Sequence, residues 1–206
     1  MKTKTIVIGA GGHAKVVIDC MEQEGKHLIE VVVDDNFENR FCYNFKVENK
    51  ALFGKNSTDF AIIAIGNCAT RKRIAQEFKA NFITTIHPSA IISKYAQIGE
   101  GSQIFAGAIV NASAVVGNHV IINTAAVVEH DCVIEDFVHL SPNCCLGGEV
   151  RIGSGTHVGI GATIIQGVNV GKNVVIGAGA VVISDIPDNC TAVGIPAKPI
   201  KYHHAK

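Results

Sequence analysis

Charge is scarce in this 206-residue chain, and neither sign prevails. Charged residues make up 17%, with 18 Lys+Arg against 18 Asp+Glu, so there is no basic footprint for nucleic acid and no polybasic patch for a membrane surface. Long apolar runs are missing too. Hydrophobic stretches are broken by Gly, Asn or charge before they reach the roughly 20 residues that a membrane helix needs. MKTKTIVIGAGG enters a strand directly, without the pattern of a signal peptide. The seven cysteines are odd in number and include no CxxC pair; they read as small buried residues of a protein kept in a reducing cytoplasm. What is present is apolar: 48% hydrophobic residues, in a length suited to one large domain or two small ones.

From Ile86 onward Ile, Val or Leu stands at every sixth position through Val182, seventeen times in succession. A mostly small residue follows four places later, as at Ala90, Ala96, Ser102, Ala108, Ala114, Ala126, Cys132 and Cys144. Helices repeat near 3.6 residues and ordinary strands at 2, so a period of six fits neither alone. It suits a short strand plus a turn, with three such sides closing a triangular coil that stacks on the next. The aliphatics then form internal ladders, each side chain contributing ~1.5–3 kcal/mol before chain entropy is subtracted. Gly99, Gly117, Gly153, Gly159, Gly171 and Gly177 are expected to supply turn conformations. This is the grammar of a β-helix.

Residues 1–85 follow another grammar. TIVIGAGGHAKVVIDCM reads as strand, Gly-rich turn and helix; LIEVVVDD as a second strand and DFAIIAIGN as a third. RKRIAQEF reads as another helix and NFITTI as a last strand. That alternation implies an α/β domain, a small parallel sheet covered on both faces, followed by the β-helix over 86–206. Gly9-Ala10-Gly11-Gly12-His13-Ala14 satisfies G-x-G-x-x-A, and Asp34 and Asp35 end the next strand. Such glycines let backbone N–H groups approach a phosphate at a helix N-terminus, and the acids can accept from a ribose or a base. About 85 residues supply only one mononucleotide-binding half, so a nucleotide sugar fits better than a dinucleotide. A structural tight turn is the alternative. His13 either lies beside that ligand or faces solvent. Asn67 and Arg71 follow the third strand, at the carboxyl end where ligands settle in open parallel sheets.

Glu129-His130-Asp131 interrupts the apolar repeats. His130 falls two residues past Val128 and need not enter the core. A solvated turn histidine is one reading. The other is a general base on a stiff scaffold, its ring oriented by the adjacent carboxylate.

Together, GAGGHAKV, the acidic pair, AIGN, INTAAVVEHDCVIEDFVH, the repeats and the terminal VGIPAKPI resemble the hexapeptide-repeat nucleotide-amino-sugar acetyltransferases along essentially the whole chain. The resemblance implies a left-handed coil, which periodicity alone does not establish, and acetyl-CoA as cosubstrate bound between the subunits of a homotrimer. It further implies that His130 removes a proton from the sugar amine and that Asp131, which stands where some relatives carry Glu or Gly, polarises it. Asn123 lines the acceptor site, His139 lies near the acetyl thioester, and Gly148 contacts acetyl-CoA through backbone. The nucleotide falls to Gly11, Gly12, His13, Asp34 and Asp35, with Asn67 nearby.

The expected function is acetyl-CoA-dependent N-acetylation of a UDP- or GDP-linked 4-amino sugar. O-acetylation of a sialic acid or another sugar hydroxyl is the same-chemistry alternative. A zinc hydratase is disfavoured because the coil histidines 119, 130, 139 and 157 lack a close pair; no metal is expected. An inert scaffold would leave Glu129-His130-Asp131 idle. His139 and His157, 18 residues apart, are expected to stack on successive coils.

Overall fold

A computed structural model describes residues 3–38, 40–53 and 59–203. The chain opens with strand β1 (Thr3–Ile8), helix α1 (Gly12–Glu24) and strand β2 (His27–Asp34). A short hairpin follows, β3 (Phe41–Cys42) and β4 (Phe45–Asn49); then β5 (Phe60–Ile63), α2 (Cys68–Glu77) and β6 (Asn81–Phe82). These strands form one sheet in the order β3-β4-β2-β1-β5-β6, parallel except for the β3–β4 pair. One face packs Val7, Val32 and Ile62 against Val17, Ile18 and Met21 of α1, and the other packs Ile6, Ile8 and Ile63 against Ile74 of α2 and Phe78. The Gly-rich turn and the turn before α2 therefore both lie at the carboxyl edge of the parallel strands.

Two sequence expectations change here. The third strand read from the sequence is the fifth in the chain, because the β3–β4 hairpin intervenes. NFITTI is not one strand: Asn81–Phe82 ends the sheet, and Thr85–Ile86 starts the coil.

Beyond Thr85 the chain winds into a left-handed parallel β-helix of two-residue strands. The first face stacks Thr85–Ile86, Gln103–Ile104, Ile121–Ile122, His139–Leu140, His157–Val158 and Val175–Ile176. A second face runs from Ile91–Ile92 to Val181–Val182 and a third from Gln97–Ile98 to Asn169–Val170. In each pair the second residue enters the core and the first points outward. Ile104, Val110, Val116, Ile122, Val128, Ile134, Leu140 and Leu146 are all at most 2% exposed, so the sixfold aliphatic ladder is the interior. A hairpin of Cys190–Gly194 and Ala197–Tyr202 continues the first face beyond the last coil.

The glycines do a different job from the one expected. Left-handed φ recurs every six residues at Gly101, Gly107, Ser113, His119, Ala125, Asp131, Phe137, Asn143, Glu149 and Gly155. Gly99 and Gly153 are not among them. A Cβ on Gly99 would stand 2.5 Å from the Gly117 carbonyl oxygen, and one on Gly153 2.6 Å from the Gly171 carbonyl carbon. These glycines, with Gly117 and Gly159, admit the close approach of the next coil rather than turning the chain, and Gly171 and Gly177 do the same for Asp188 and for the Val193 side chain beyond the last coil. The turns themselves accept side chains in the left-handed conformation, Asp131 among them.

Candidate active site

The N-terminal domain sits on the first face. Outward-pointing Thr85, Gln103 and Ile121 are fully buried beneath it. Cys20 of α1 lies 3.5 Å from the Thr85 hydroxyl, and Gln103 Nε2 donates to the Ile63 carbonyl at 2.8 Å. At the corner between the third and first faces, His119 lies edge-on to Phe82 and stacks on Phe137. Burial pushes its pKa down to about 4.

His13 and His139 meet at this junction, with ring centroids 6.1 Å apart. His13 Nε2 is 2.8 Å from Gln103 Oε1, whose amide nitrogen is already committed to Ile63, so His13 donates there. His139 and His157 are register partners on adjacent coils with rings 4.7 Å apart, as their 18-residue spacing implied. His139 Nδ1 is 3.0 Å from the Gly66 carbonyl, and Asn123 Nδ2 lies 3.1 Å from His139 Nε2. His157 Nε2 is 3.0 Å from the Ser141 hydroxyl. Burial lowers the pKa of all three rings, His139 to about 3, so this wall is neutral at physiological pH. Where α2 leaves the first face, a crevice of about 500 Å³ opens between Asn67, Lys72 and Gln76 and the coil residues His157, Asn173 and Val175.

At the Gly-rich turn the glycines differ among themselves. Gly9 has φ +109°, and a Cβ on it would meet the Ala64 carbonyl oxygen at 2.9 Å. Gly11 and Gly12 are surrounded by open space, so no protein atom requires glycine there. Gly11 caps α1 without a side-chain hydrogen bond; its carbonyl accepts from the Ala14 N–H at 3.2 Å, and the N–H groups ahead of Ala14 point where an anion can approach. Asp34 accepts from the Ala10 N–H (2.8 Å) through one oxygen and from the Asn36 N–H (2.9 Å) through the other, so it braces the turn. Asp35 is exposed and pairs with Lys50 Nζ at 2.8 Å. Asn67 caps α2, accepting from the Thr70 N–H. Sequence reasoning missed Arg40, which donates to the Ala10 carbonyl at 3.0 Å, and Gln103. Neither had a local signal; Gln103 reaches His13 across 90 residues.

His130 lies elsewhere. It occupies the corner between the second and third faces, the vertex opposite the face that carries the N-terminal domain. The side chain is 57% exposed, and Nδ1 is 2.8 Å from Asp131 Oδ2. A carboxylate only accepts, so the proton sits on Nδ1 and Nε2 keeps a lone pair for solvent or substrate. The hydrogen bond to Asp131 raises the His130 pKa, with smaller Coulombic contributions from Asp131, Glu129 and Glu149. One coil on, Gly148 makes room for the ring: a Cβ there would stand 2.6 Å from His130 Cε1 and 2.7 Å from Nε2. Gly148→Ala is therefore expected to displace the imidazole while leaving the coil intact. A kcat lowered roughly ten- to a hundredfold with an unchanged melting temperature would show this; a melting temperature that falls with kcat would point to the coil instead.

One chain thus brings together the Gly-rich turn, His13, Asn123 and His139 but holds His130, Asp131 and Gly148 apart from them. Among the described residues no group of three or more His, Cys, Asp or Glu is placed to hold a metal ion.

Residues 4–78 match the family model described as the PglD N-terminal domain. Over nearly all of the chain the fold is similar to a histidine-to-asparagine mutant of perosamine N-acetyltransferase from Caulobacter crescentus, solved with CoA and GDP-perosamine. The identity is 35% over 96% of this chain and 97% of that one, with a TM-score of 0.90. It is similar also to the acetyltransferase domain of PglB from Neisseria gonorrhoeae FA1090 in complex with acetyl coenzyme A: 38% identity, 97% and 100% coverage, TM-score 0.88. A curated UDP-N-acetylbacillosamine N-acetyltransferase from Bacillus subtilis (strain 168) is 43% identical over 108 residues, 48% of this chain and half the length of that relative.

Proposed function

The chain belongs to the hexapeptide-repeat sugar N-acetyltransferase family of the perosamine and PglB enzymes, and on that premise we propose that it transfers the acetyl group of acetyl-CoA to the 4-amino group of a nucleotide-linked sugar. The observation that carries this reading is the division of labour among the histidines. Among the described histidines, His130 alone is exposed, bonded to a carboxylate and raised in pKa, whereas His13, His139 and His157 are held neutral.

The diphosphate of the nucleotide sits over Gly11 and Gly12, where the helix N-terminus favours negative charge. Asp35 accepts from the nucleoside, and Asp34 keeps the turn in shape for it. The sugar then reaches the junction lined by His13, Asn123 and His139. His130 Nε2 takes the proton from the amine as nitrogen attacks the thioester carbonyl. Asp131 stabilises the imidazolium that forms, which returns the proton to the leaving thiolate, giving CoA and the free base. N–H groups near the carbonyl meet the developing oxyanion.

Because His130 stands on the vertex opposite its own N-terminal domain, the base and the nucleotide turn of one site come from two chains. We assign a homotrimer with acetyl-CoA between subunits, in which each of three equivalent interfaces holds one site. The work belongs in the cytoplasm, in keeping with seven unpaired cysteines.

Anchoring through the nucleotide makes free 4-amino sugars poor acceptors, because the binding energy that positions the amine is missing. Asp35→Ala should raise the KM for the sugar nucleotide several-fold and leave that for acetyl-CoA unchanged. Steady-state kinetics with UDP- and GDP-linked and unlinked 4-amino sugars measure both. Equal turnover of the unlinked sugar would remove the nucleotide from the account.

A further inference from the structure

Arg71 is fully buried, and its guanidinium is spent on backbone carbonyls. Nε donates to His119 O at 2.8 Å; Nη1 donates to Ile65 O at 2.9 Å and Gly66 O at 3.0 Å; Nη2 donates to Phe137 O at 2.8 Å and Val138 O at 3.2 Å. One side chain thereby ties the turn after β5 to the corners of two successive coils. The planar fork of arginine suits this, since five N–H groups leave in fixed directions. The Gly66 carbonyl receives a second donor, His139 Nδ1, at 3.0 Å. A carbonyl only accepts, so Nδ1 carries the proton, and in the neutral ring Nε2 is left with its lone pair toward Asn123 Nδ2. Asn123 Oδ1 in turn accepts from the Thr124 N–H at 2.8 Å, which fixes the amide's orientation.

We propose that Arg71 is a positioning residue for acetyl transfer: by clamping the Gly66 carbonyl it holds His139 in the tautomer protonated on Nδ1, and His139 in turn orients the Asn123 amide at the acceptor site. This rests on the proposed placement of Asn123 and His139 beside the reacting groups. The charged and titratable groups facing His139 act in the same direction. Arg71 from α2, His13 from α1 and His157 from the next coil each disfavour a second proton on the ring, and burial does so more strongly.

Nitrogen-15 NMR of histidine-labelled protein without substrates tests the proposal. In the wild type, His139 is expected with Nδ1 protonated and Nε2 bare, unchanged across the pH range in which exposed histidines titrate. Arg71→Lys replaces the fork with a point charge that cannot span these carbonyls. The His139 ring should then exchange between tautomers, and kcat should fall about tenfold with each KM changed less than about threefold. A second variant decides the matter even if Arg71→Lys does not fold. Asn123→Ala removes the partner at Nε2 and should leave the Nδ1 proton in place, because the clamped carbonyl holds it. A wild-type ring protonated on Nε2, an Asn123→Ala ring that flips to Nε2–H, or a folded Arg71→Lys protein with wild-type tautomer and kcat would each overturn the proposal. Should the tautomer be as stated while no nucleotide sugar is acetylated, the functional reading fails and the clamp stands.

Discussion

His130→Ala should lower kcat by ~10²–10⁴ while nucleotide-sugar affinity stays near that of the wild type, as loss of a general base requires. The affinity should hold because His130 lies at the corner farthest from its own Gly-rich turn and touches none of the groups that brace that turn. Asp131→Asn should cost less, since the imidazole remains. Its signature is in the pH profile. The hydrogen bond to Asp131 is the largest cause of the raised His130 pKa, and the base works only when deprotonated. Activity is therefore lost as pH falls through that raised value. Removing the carboxylate lowers the pKa, so the acid limb of kcat should move to lower pH even as the plateau drops. A limb that stays in place would separate Asp131 from the titration. A His130→Ala protein with wild-type turnover would sink the base assignment; one that no longer binds nucleotide would show a structural role.

The second large effect concerns subunits. Gly12 has open space around it, so Gly12→Leu should fold normally while filling the room that the proposed function gives to phosphate. His130→Ala and Gly12→Leu should each be nearly inactive alone. Co-expressed with separate tags and purified as mixed trimers, they should recover about a third of wild-type activity, since every mixed trimer, whether 2:1 or 1:2, has one interface in three with two intact halves. Sedimentation of the mixture establishes the oligomer. Mixed trimers that stay inactive, or a stable monomer at micromolar concentration, would contradict a site shared between chains.

The aliphatic ladder was legible because each side of the coil sends one large aliphatic and one mostly small side chain inward per six residues, and the aliphatic position never admits a polar residue. The reason for each glycine was not. Sequence shows that a Cβ is missing but not whether φ or space forbids it; Gly99 and Gly153 turned out to answer to space, while Asp131, Phe137 and Glu149 carry the left-handed turns. The β3–β4 hairpin escaped notice because Phe41–Cys42 is too short to show a period. Within the site, His130 and Asp131 stood out as charges in an apolar tract. Gln103 did not, and Arg71 stood out only as a residue at the carboxyl edge of the sheet, open to a ligand; it is instead buried on backbone carbonyls, and both roles are contacts across 48 and 90 residues that no local pattern announces. Nor could spacing show that His130 and the Gly-rich turn face away from each other. That follows only once the coil's three faces are assigned and the N-terminal domain is seen to cover the first.

The most direct measurement is the product of purified enzyme incubated with acetyl-CoA and UDP- or GDP-linked 4-amino sugars, alongside free sialic acid and CMP-sialic acid. Release of CoA should track formation of an acetylated sugar nucleotide that survives mild alkali, as an amide does. An alkali-labile ester formed faster from the sialic acids would contradict amine acetylation, and would leave the β-helix and the exposed His130–Asp131 pair as they stand.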